Sequence, residues 1–153
     1  MKTRAPLLLI VALLACGGSA HASTDCNNPV TPAEVAECAD RENSVNEQKL
    51  RAVYSQVLIG LGRIDKEYSH TYPNRPPLRV AESFASAQRA WLKFRRQSCH
   101  VEKLIVLNGN PSRGDQSAAA VTACESRLAL ARVAELENLA STYDISVGEG
   151  YRQ

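Results

Sequence analysis

Hydrophobic residues recur at helical spacing over three long stretches of the chain, and no stretch of useful length alternates as a β-strand does. The clearest stretch steps by three and four residues along a single line. Its members are Phe84, Ala87, Trp91, Phe94, Ser98, Val101 and Ile105. We expect this line to form the buried seam of the second helix. The run Asn108-Gly109-Asn110-Pro111 then ends that helix, because Asn and Gly tolerate left-handed backbone and Pro cannot continue a helix.

A capping box predicts the start of the first helix. Thr31 can cap the helix, Pro32 suits its first turn, and Glu34 completes the box three residues later. The glycine and proline residues within 62–77 give this segment the composition of a linker. Part of this linker can extend the helix, but its prolines end the helix by Tyr72.

The third helix is expected from about Ala118 to Tyr143, after a loop from Ser112 to Ser117. Short connections make neighbouring helices antiparallel. The sequence therefore predicts an all-α fold, a small antiparallel bundle of three main helices that occupies residues 23–146. We expect residues 147–153 to form a loose C-terminal tail.

The first 22 residues have the pattern of a secretory signal peptide. Lys2 and Arg4 precede an apolar run, and Ala20-His21-Ala22 offers an A-x-A cleavage site. A second interpretation stays open, because Leu13-Leu14-Ala15-Cys16 resembles a bacterial lipobox. Cleavage before Cys16 would leave a lipidated, membrane-anchored protein, whereas cleavage after Ala22 would release the chain into the periplasm.

Removal of the signal peptide changes the charge of the protein. The full chain carries 18 Lys and Arg against 16 Asp and Glu, and Lys2 and Arg4 account for the whole excess. The mature chain is therefore formally neutral, and its composition does not support a cationic field for nucleic acid or anionic lipid. On this basis we expect no nucleic-acid partner, and membrane attachment only through a lipidated Cys16.

The mature chain keeps four cysteines, which are Cys26, Cys38, Cys99 and Cys124. An even number in an exported chain predicts two disulfides, with four free buried thiols as the alternative. The spacings lack the paired short steps of a zinc site, and no C-x-x-C redox or haem motif is present. The helix assignment places all four cysteines at one end of the bundle, and three pairings remain open.

A polar patch is expected at the same end of the bundle. If Cys38 and Cys99 lie level, then Glu42 and Arg95 also lie level, because each is one turn inward on helices that run in opposite directions. We therefore predict a Glu42–Arg95 ion pair. Its expected neighbours are Gln88, Trp91 and Arg132. The patch is either an internal clamp that fixes helix register or a surface exposed to a partner.

The second helix also carries a recognisable motif. Ala87-Gln88-Arg89-Ala90-Trp91, followed by Phe94-Arg95 and Cys99, resembles the signature AQRAW-x-x-[FY]-R-x-x-x-C of the LprI-like lysozyme-inhibitor family. Cys124, Arg132 and Leu136 resemble the C-x7-R-x3-L pattern of its last helix. The resemblance implies an all-α, disulfide-bridged protein of the bacterial cell envelope, and no catalytic residue.

The residues themselves also argue against an enzyme. No nucleophile motif, metal-ligand spacing or phosphate-cradling glycine loop is present, so we expect no catalytic, cofactor-binding or metal-binding residues. The favoured function is a binding protein that blocks a lysozyme-type cell-wall hydrolase, whose catalytic carboxylates a basic loop could reach. The candidate loop residues are Arg75, Arg79 and Arg113. The alternatives are a non-inhibitory periplasmic scaffold or accessory module and an immunity protein.

Overall fold

A computed structural model describes residues 24–145, which form three α-helices and one short 3-10 helix. The elements are α1 (Pro32–Thr71), α2 (Val80–Leu107), the 3-10 helix (Pro111–Arg113) and α3 (Gly114–Thr142). The predicted all-α bundle of three main helices is confirmed. The predicted signal peptide, the lipidation site at Cys16 and the tail at 147–153 lie outside the described residues.

The predicted capping box at the start of α1 is present. The Thr31 hydroxyl accepts a hydrogen bond from the Glu34 N–H at 3.2 Å, and the Glu34 carboxylate accepts from the Thr31 N–H at 2.8 Å. The Val30 N–H also donates to this carboxylate, at 2.9 Å. These backbone donors, Val30 first, hold the pKa of Glu34 below its ordinary value, because they favour the charged form. The box supplies acceptors to N–H groups that would otherwise lack a partner at the start of α1.

The structure fixes how far α1 extends into the predicted linker, and the start of α3 differs from the sequence prediction. α1 continues through Gly60 and Gly62 to Thr71, so most of the predicted linker is helical. A glycine costs about 1 kcal/mol in a helix interior, and burial of Leu61 next to Gly60 offsets that cost. α3 begins at Gly114 rather than near Ala118, directly after the 3-10 helix. The predicted helix end at Tyr72 is confirmed, since Tyr72 caps α1 and its N–H donates to the Tyr68 carbonyl.

The expected seam of α2 is wrong over most of its length. Phe94, Val101 and Ile105 are exposed, although Phe84 is buried as expected. The side that faces the bundle instead follows the neighbouring line of the helix. Its buried members are Phe84, Gln88, Arg95 and Cys99. Both lines have helical spacing. The line with Gln88 and Arg95 can face the bundle because these two polar side chains find partners on α1 and α3.

The hydrophobic core lies between the middle of α1 and the second half of α3. Phe84 of α2 closes this core and stacks on Tyr54 of α1, with ring centroids 5.3 Å apart. The buried core residues are Leu50, Val53, Val57, Leu61, Phe84, Ala129, Val133, Leu136, Ala140 and Ile145. The core thus occupies the end of the bundle where α1 turns into α2.

The prediction of two disulfides is confirmed, and the structure settles the pairing. Cys99 of α2 bonds to Cys124 of α3, and both residues are buried. Cys26 bonds to Cys38, which ties the entry segment 24–31 back onto α1. None of the described helices is both long and apolar enough to cross a bilayer.

Candidate functional site

A buried arginine links all three helices. Arg95 of α2 is 7% exposed. Its Nη2 contacts the Glu47 carboxylate of α1 and lies 3.8 Å from Glu125 Oε2 of α3. A buried charge is tolerated when it is paired, so the two carboxylates are what allow Arg95 to face the interior.

Trp91 lies beside this arginine and extends the cluster. The Arg95 and Arg132 Cζ atoms lie 5.7 Å and 5.6 Å from the Trp91 ring centroid, within cation–π range. Arg132 Nε also donates to Gln88 Oε1 at 3.1 Å, and its Nη1 pairs with Glu135 at 2.8 Å. The structure therefore brings Gln88, Trp91, Arg95 and Arg132 together.

The predicted Glu42–Arg95 pair is wrong. Glu42 is exposed on α1, and Glu47 takes its place opposite Arg95. The shift of five residues corresponds to about 7.5 Å along the helix axis. The prediction assumed that Cys38 lies level with Cys99, but Cys38 bonds to Cys26, so nothing holds these two positions level.

A second buried polar contact, which was not predicted from the sequence, ties α1 to α3. Asn46 Nδ2 donates to Ser126 Oγ at 2.9 Å, and both residues are buried. Asn46 lies four residues before Leu50 on the buried line of α1. A polar residue on an otherwise apolar helical line was therefore the available signal.

The burial of this cluster favours an internal clamp over a surface for a partner. A partner could reach the Arg95 guanidinium only if the helices separated, since the side chain is 8% exposed. Among the acidic side chains of the cluster, Glu135 is exposed, and Glu47 and Glu125 are partly exposed. We therefore expect the cluster to set helix register, and residues that contact a partner are to be sought elsewhere.

The connection between α1 and α2, residues 72–79, is the exposed basic loop of the bundle, and we refer to it as the proline loop. Pro73, Pro76 and Pro77 restrict its backbone. The Arg75 Cζ lies 5.0 Å from the Tyr72 ring centroid, and the Arg75 N–H donates to the Tyr72 carbonyl at 3.0 Å. Both contacts hold Arg75 in a defined position while it stays exposed.

Arg79 ends the proline loop in the left-handed region, with φ of 56°. A non-glycine residue in this region costs roughly 1–2 kcal/mol, so the surrounding contacts must fix it. Its side chain is exposed and lies 3.8 Å from Glu82. Arg75 and Arg79 thus project from one short, conformationally restricted loop.

Asp65 of α1 supplies the contact that fixes the end of this loop. Its two carboxylate oxygens accept hydrogen bonds from the N–H groups of Val80 and Ala81, at 2.9 and 3.0 Å. Arg79 is the N-cap residue of α2 and makes no side-chain cap. Asp65 therefore caps α2 from the neighbouring helix, a role that local sequence patterns do not reveal because the two segments are 15 residues apart.

Replacing Asp65 with alanine should lower the free energy of unfolding by about 1–2 kcal/mol, because two N–H groups at a helix start lose their acceptor. Urea unfolding followed by circular dichroism measures this loss. Glu67→Ala is the control, since Glu67 is exposed on the same helix, and it should change stability by less than about 0.5 kcal/mol. Equal effects of the two substitutions would contradict the capping role.

The third candidate arginine lies at the opposite end of the bundle. Arg113 ends the 3-10 helix between α2 and α3 and is exposed. The 28 residues of α2 separate it from the proline loop, a distance of about 42 Å along the helix. Arg113 therefore cannot share a binding surface with Arg75 and Arg79.

An apolar crevice of about 440 Å³ lies at the loop end of the bundle. Val80, the first residue after the proline loop, is part of its wall together with Ile64 of α1 and Tyr143 after α3. Tyr143 is 68% exposed. The basic loop thus lies next to an apolar surface, a combination suited to protein recognition.

Comparison with known proteins agrees with this architecture. A family model described as "Lysozyme inhibitor LprI" matches residues 24–136. An uncharacterized protein of Rhizobium meliloti (strain 1021) is 29% identical over 143 residues, which cover 91% of this chain and 96% of the relative. No solved structure matches the chain.

Proposed function

Because the chain belongs to the lysozyme inhibitor LprI family, we propose that it is an exported cell-envelope protein that inhibits a lysozyme-type cell-wall hydrolase. Its two disulfides support export, since such bonds persist in oxidising compartments. The predicted signal peptide gives the route, and release into the periplasm is favoured over a lipid anchor at Cys16.

The proline loop is proposed as the inhibitory element, and the position of Arg75 carries this assignment. Lysozymes cleave their substrate with a pair of carboxylic residues in a cleft. An exposed guanidinium held against Tyr72 presents a positive charge and hydrogen-bond donors to such a pair. A loop that is restricted before binding loses less conformational entropy on association, which favours affinity.

Arg79 and the apolar crevice support the same surface. Arg79 adds a second exposed cation at the end of the loop, and Tyr143 offers an exposed aromatic ring beside the crevice. Aromatic and arginine side chains dominate the binding energy of protein interfaces. The proposal therefore places a basic centre in the cleft of the hydrolase and an apolar contact at its rim.

A turbidity assay with bacterial cell walls and lysozyme tests the proposal. Excess folded protein should slow the clearing of the suspension. Arg75→Ala should weaken this inhibition at least about ten-fold, as expected for a central arginine of an interface. Arg113→Ala is the matched control, because it removes the same charge from an exposed position at the other end of the bundle.

The assay tests lysozyme inhibition and the assignment of the proline loop as the inhibitory site separately. Unchanged clearing in the presence of the folded parental protein would exclude lysozyme inhibition and favour a scaffold or an immunity protein. Inhibition that Arg75→Ala leaves intact would retain the function and exclude the proline loop as its site. Circular dichroism of each variant confirms that the fold is retained.

A further inference from the structure

The formal neutrality of the domain conceals a separation of charge on its surface. Five exposed basic residues of α2 lie on one helical line, at intervals of four and three residues. This basic stripe consists of Arg89, Lys93, Arg96, His100 and Lys103. None of its Lys or Arg side chains forms an ion pair with any residue between 24 and 145. The stripe extends about 21 Å along the helix.

Many of the balancing acidic residues lie on the entry segment and the first part of α1 rather than on α2. The segment from Asp25 to Glu47 contains six Asp and Glu residues but Arg41 as its sole Lys or Arg. The acidic residues are Asp25, Glu34, Glu37, Asp40, Glu42 and Glu47. The cations of α2 therefore produce a local positive field, although the sum over the domain is near zero.

An exposed apolar stripe accompanies the basic one on the same helix. It consists of Phe94, Val101, Leu104 and Ile105, each more than half exposed, with Ile105 at 69%. Phe94, Val101 and Ile105 are residues that the spacing assigned to the buried seam, and no element between residues 24 and 145 covers the stripe. The solvent side of α2 thus has both an apolar and a basic line, as in helices that lie in a membrane interface.

We propose that the outer side of α2 binds the surface of an anionic phospholipid membrane. The apolar stripe would enter the boundary between headgroups and acyl chains, and the basic stripe would contact the phosphate groups. This contact is independent of any acyl group at Cys16 and of lysozyme inhibition. It would place the domain flat on the membrane, with α2 parallel to the surface.

The charge pattern favours a membrane over a second copy of the chain. A dimer in which α2 packs against the α2 of another copy would be two-fold symmetric. Both copies of the basic stripe would then lie at the rim of one interface. Like charges at an interface are repulsive. Phosphate headgroups supply the opposite charge over an extended plane, and the lipid boundary also accommodates the apolar stripe.

Vesicle co-flotation tests this inference with exported protein that carries Cys16→Ser. The protein should bind vesicles containing phosphatidylglycerol and leave pure phosphatidylcholine vesicles largely unbound. Lys93→Glu/Arg96→Glu should lower the affinity at least about ten-fold, because each basic residue near an anionic surface contributes to binding. Phe94→Ser/Ile105→Ser should weaken binding as well, and 1 M salt should remove the electrostatic part.

Lys49→Glu/Arg51→Glu is the matched control, since it reverses two exposed charges on α1. It should bind like the parental protein, and a loss equal to that of the α2 variant would overturn the assignment to this helix. Absence of vesicle binding would overturn the proposal. So would a dimer in light scattering that Phe94→Ser/Ile105→Ser converts to monomer, because a second copy would then cover the apolar stripe.

Discussion

Replacing Arg95 with methionine should lower the free energy of unfolding by about 3 kcal/mol. Methionine keeps an apolar stem of similar length, so the loss reports on the charge. Glu47 and Glu125 would then face each other without the cation that joins them, and breaking a buried pair costs about 3–5 kcal/mol. The lower end of that range applies, because both carboxylates are partly exposed to water. Urea unfolding measures the change.

Arg127→Met provides the comparison for this experiment. Arg127 also pairs with a glutamate of the neighbouring helix, Glu102, but its side chain is 62% exposed. Exposed ion pairs contribute about 0–1 kcal/mol, so this variant should remain close to the parental stability. If both variants lose the same amount, the cluster around Arg95 is not a clamp. Reduced lysozyme inhibition by a fully folded Arg95→Met would instead indicate a surface for a partner.

The helices could be predicted from the sequence because their signals are local. The capping box at Thr31 and the prolines after Tyr72 depend on neighbouring residues, and the structure has both boundaries there. The Asn108 cap is local as well, since it takes the left-handed conformation that Asn tolerates. Hydrophobic spacing then predicts the number of helices, and the short connections predict that neighbouring helices are antiparallel.

The buried side of α2 could not be predicted, because burial depends on the partners that other helices supply. Phe94, Val101 and Ile105 satisfy the spacing of a seam as well as the residues that are buried. Arg95 faces the interior because Glu47 and Glu125 lie opposite it. The same reasoning applies to Asp65. Its role as a cap depends on the position of α2 and not on the residues next to Asp65 in the sequence.

The two disulfides are expected to differ in their effect on stability, although both were predicted from the same count of cysteines. Cys99–Cys124 closes a 25-residue separation across the connection between α2 and α3, and both cysteines are 1% exposed. Chain-entropy arguments give about 3.5 kcal/mol for a loop of this length. Cys99→Ala/Cys124→Ala should therefore lower the melting temperature by roughly 10 °C. Calorimetry of the oxidised proteins measures this shift.

The second disulfide encloses an exposed segment outside the hydrophobic core. Cys26–Cys38 closes a 12-residue separation, and Thr24 and Arg41 add further contacts at the surface. Without this bond the entry segment gains freedom in the folded protein as well as in the unfolded one, so much of the entropic effect cancels. Cys26→Ala/Cys38→Ala should lower global stability by less than about 1 kcal/mol and expose residues 24–31 to proteolysis. A melting temperature that falls as far as in the Cys99→Ala/Cys124→Ala variant would show that the entry segment unfolds together with the core.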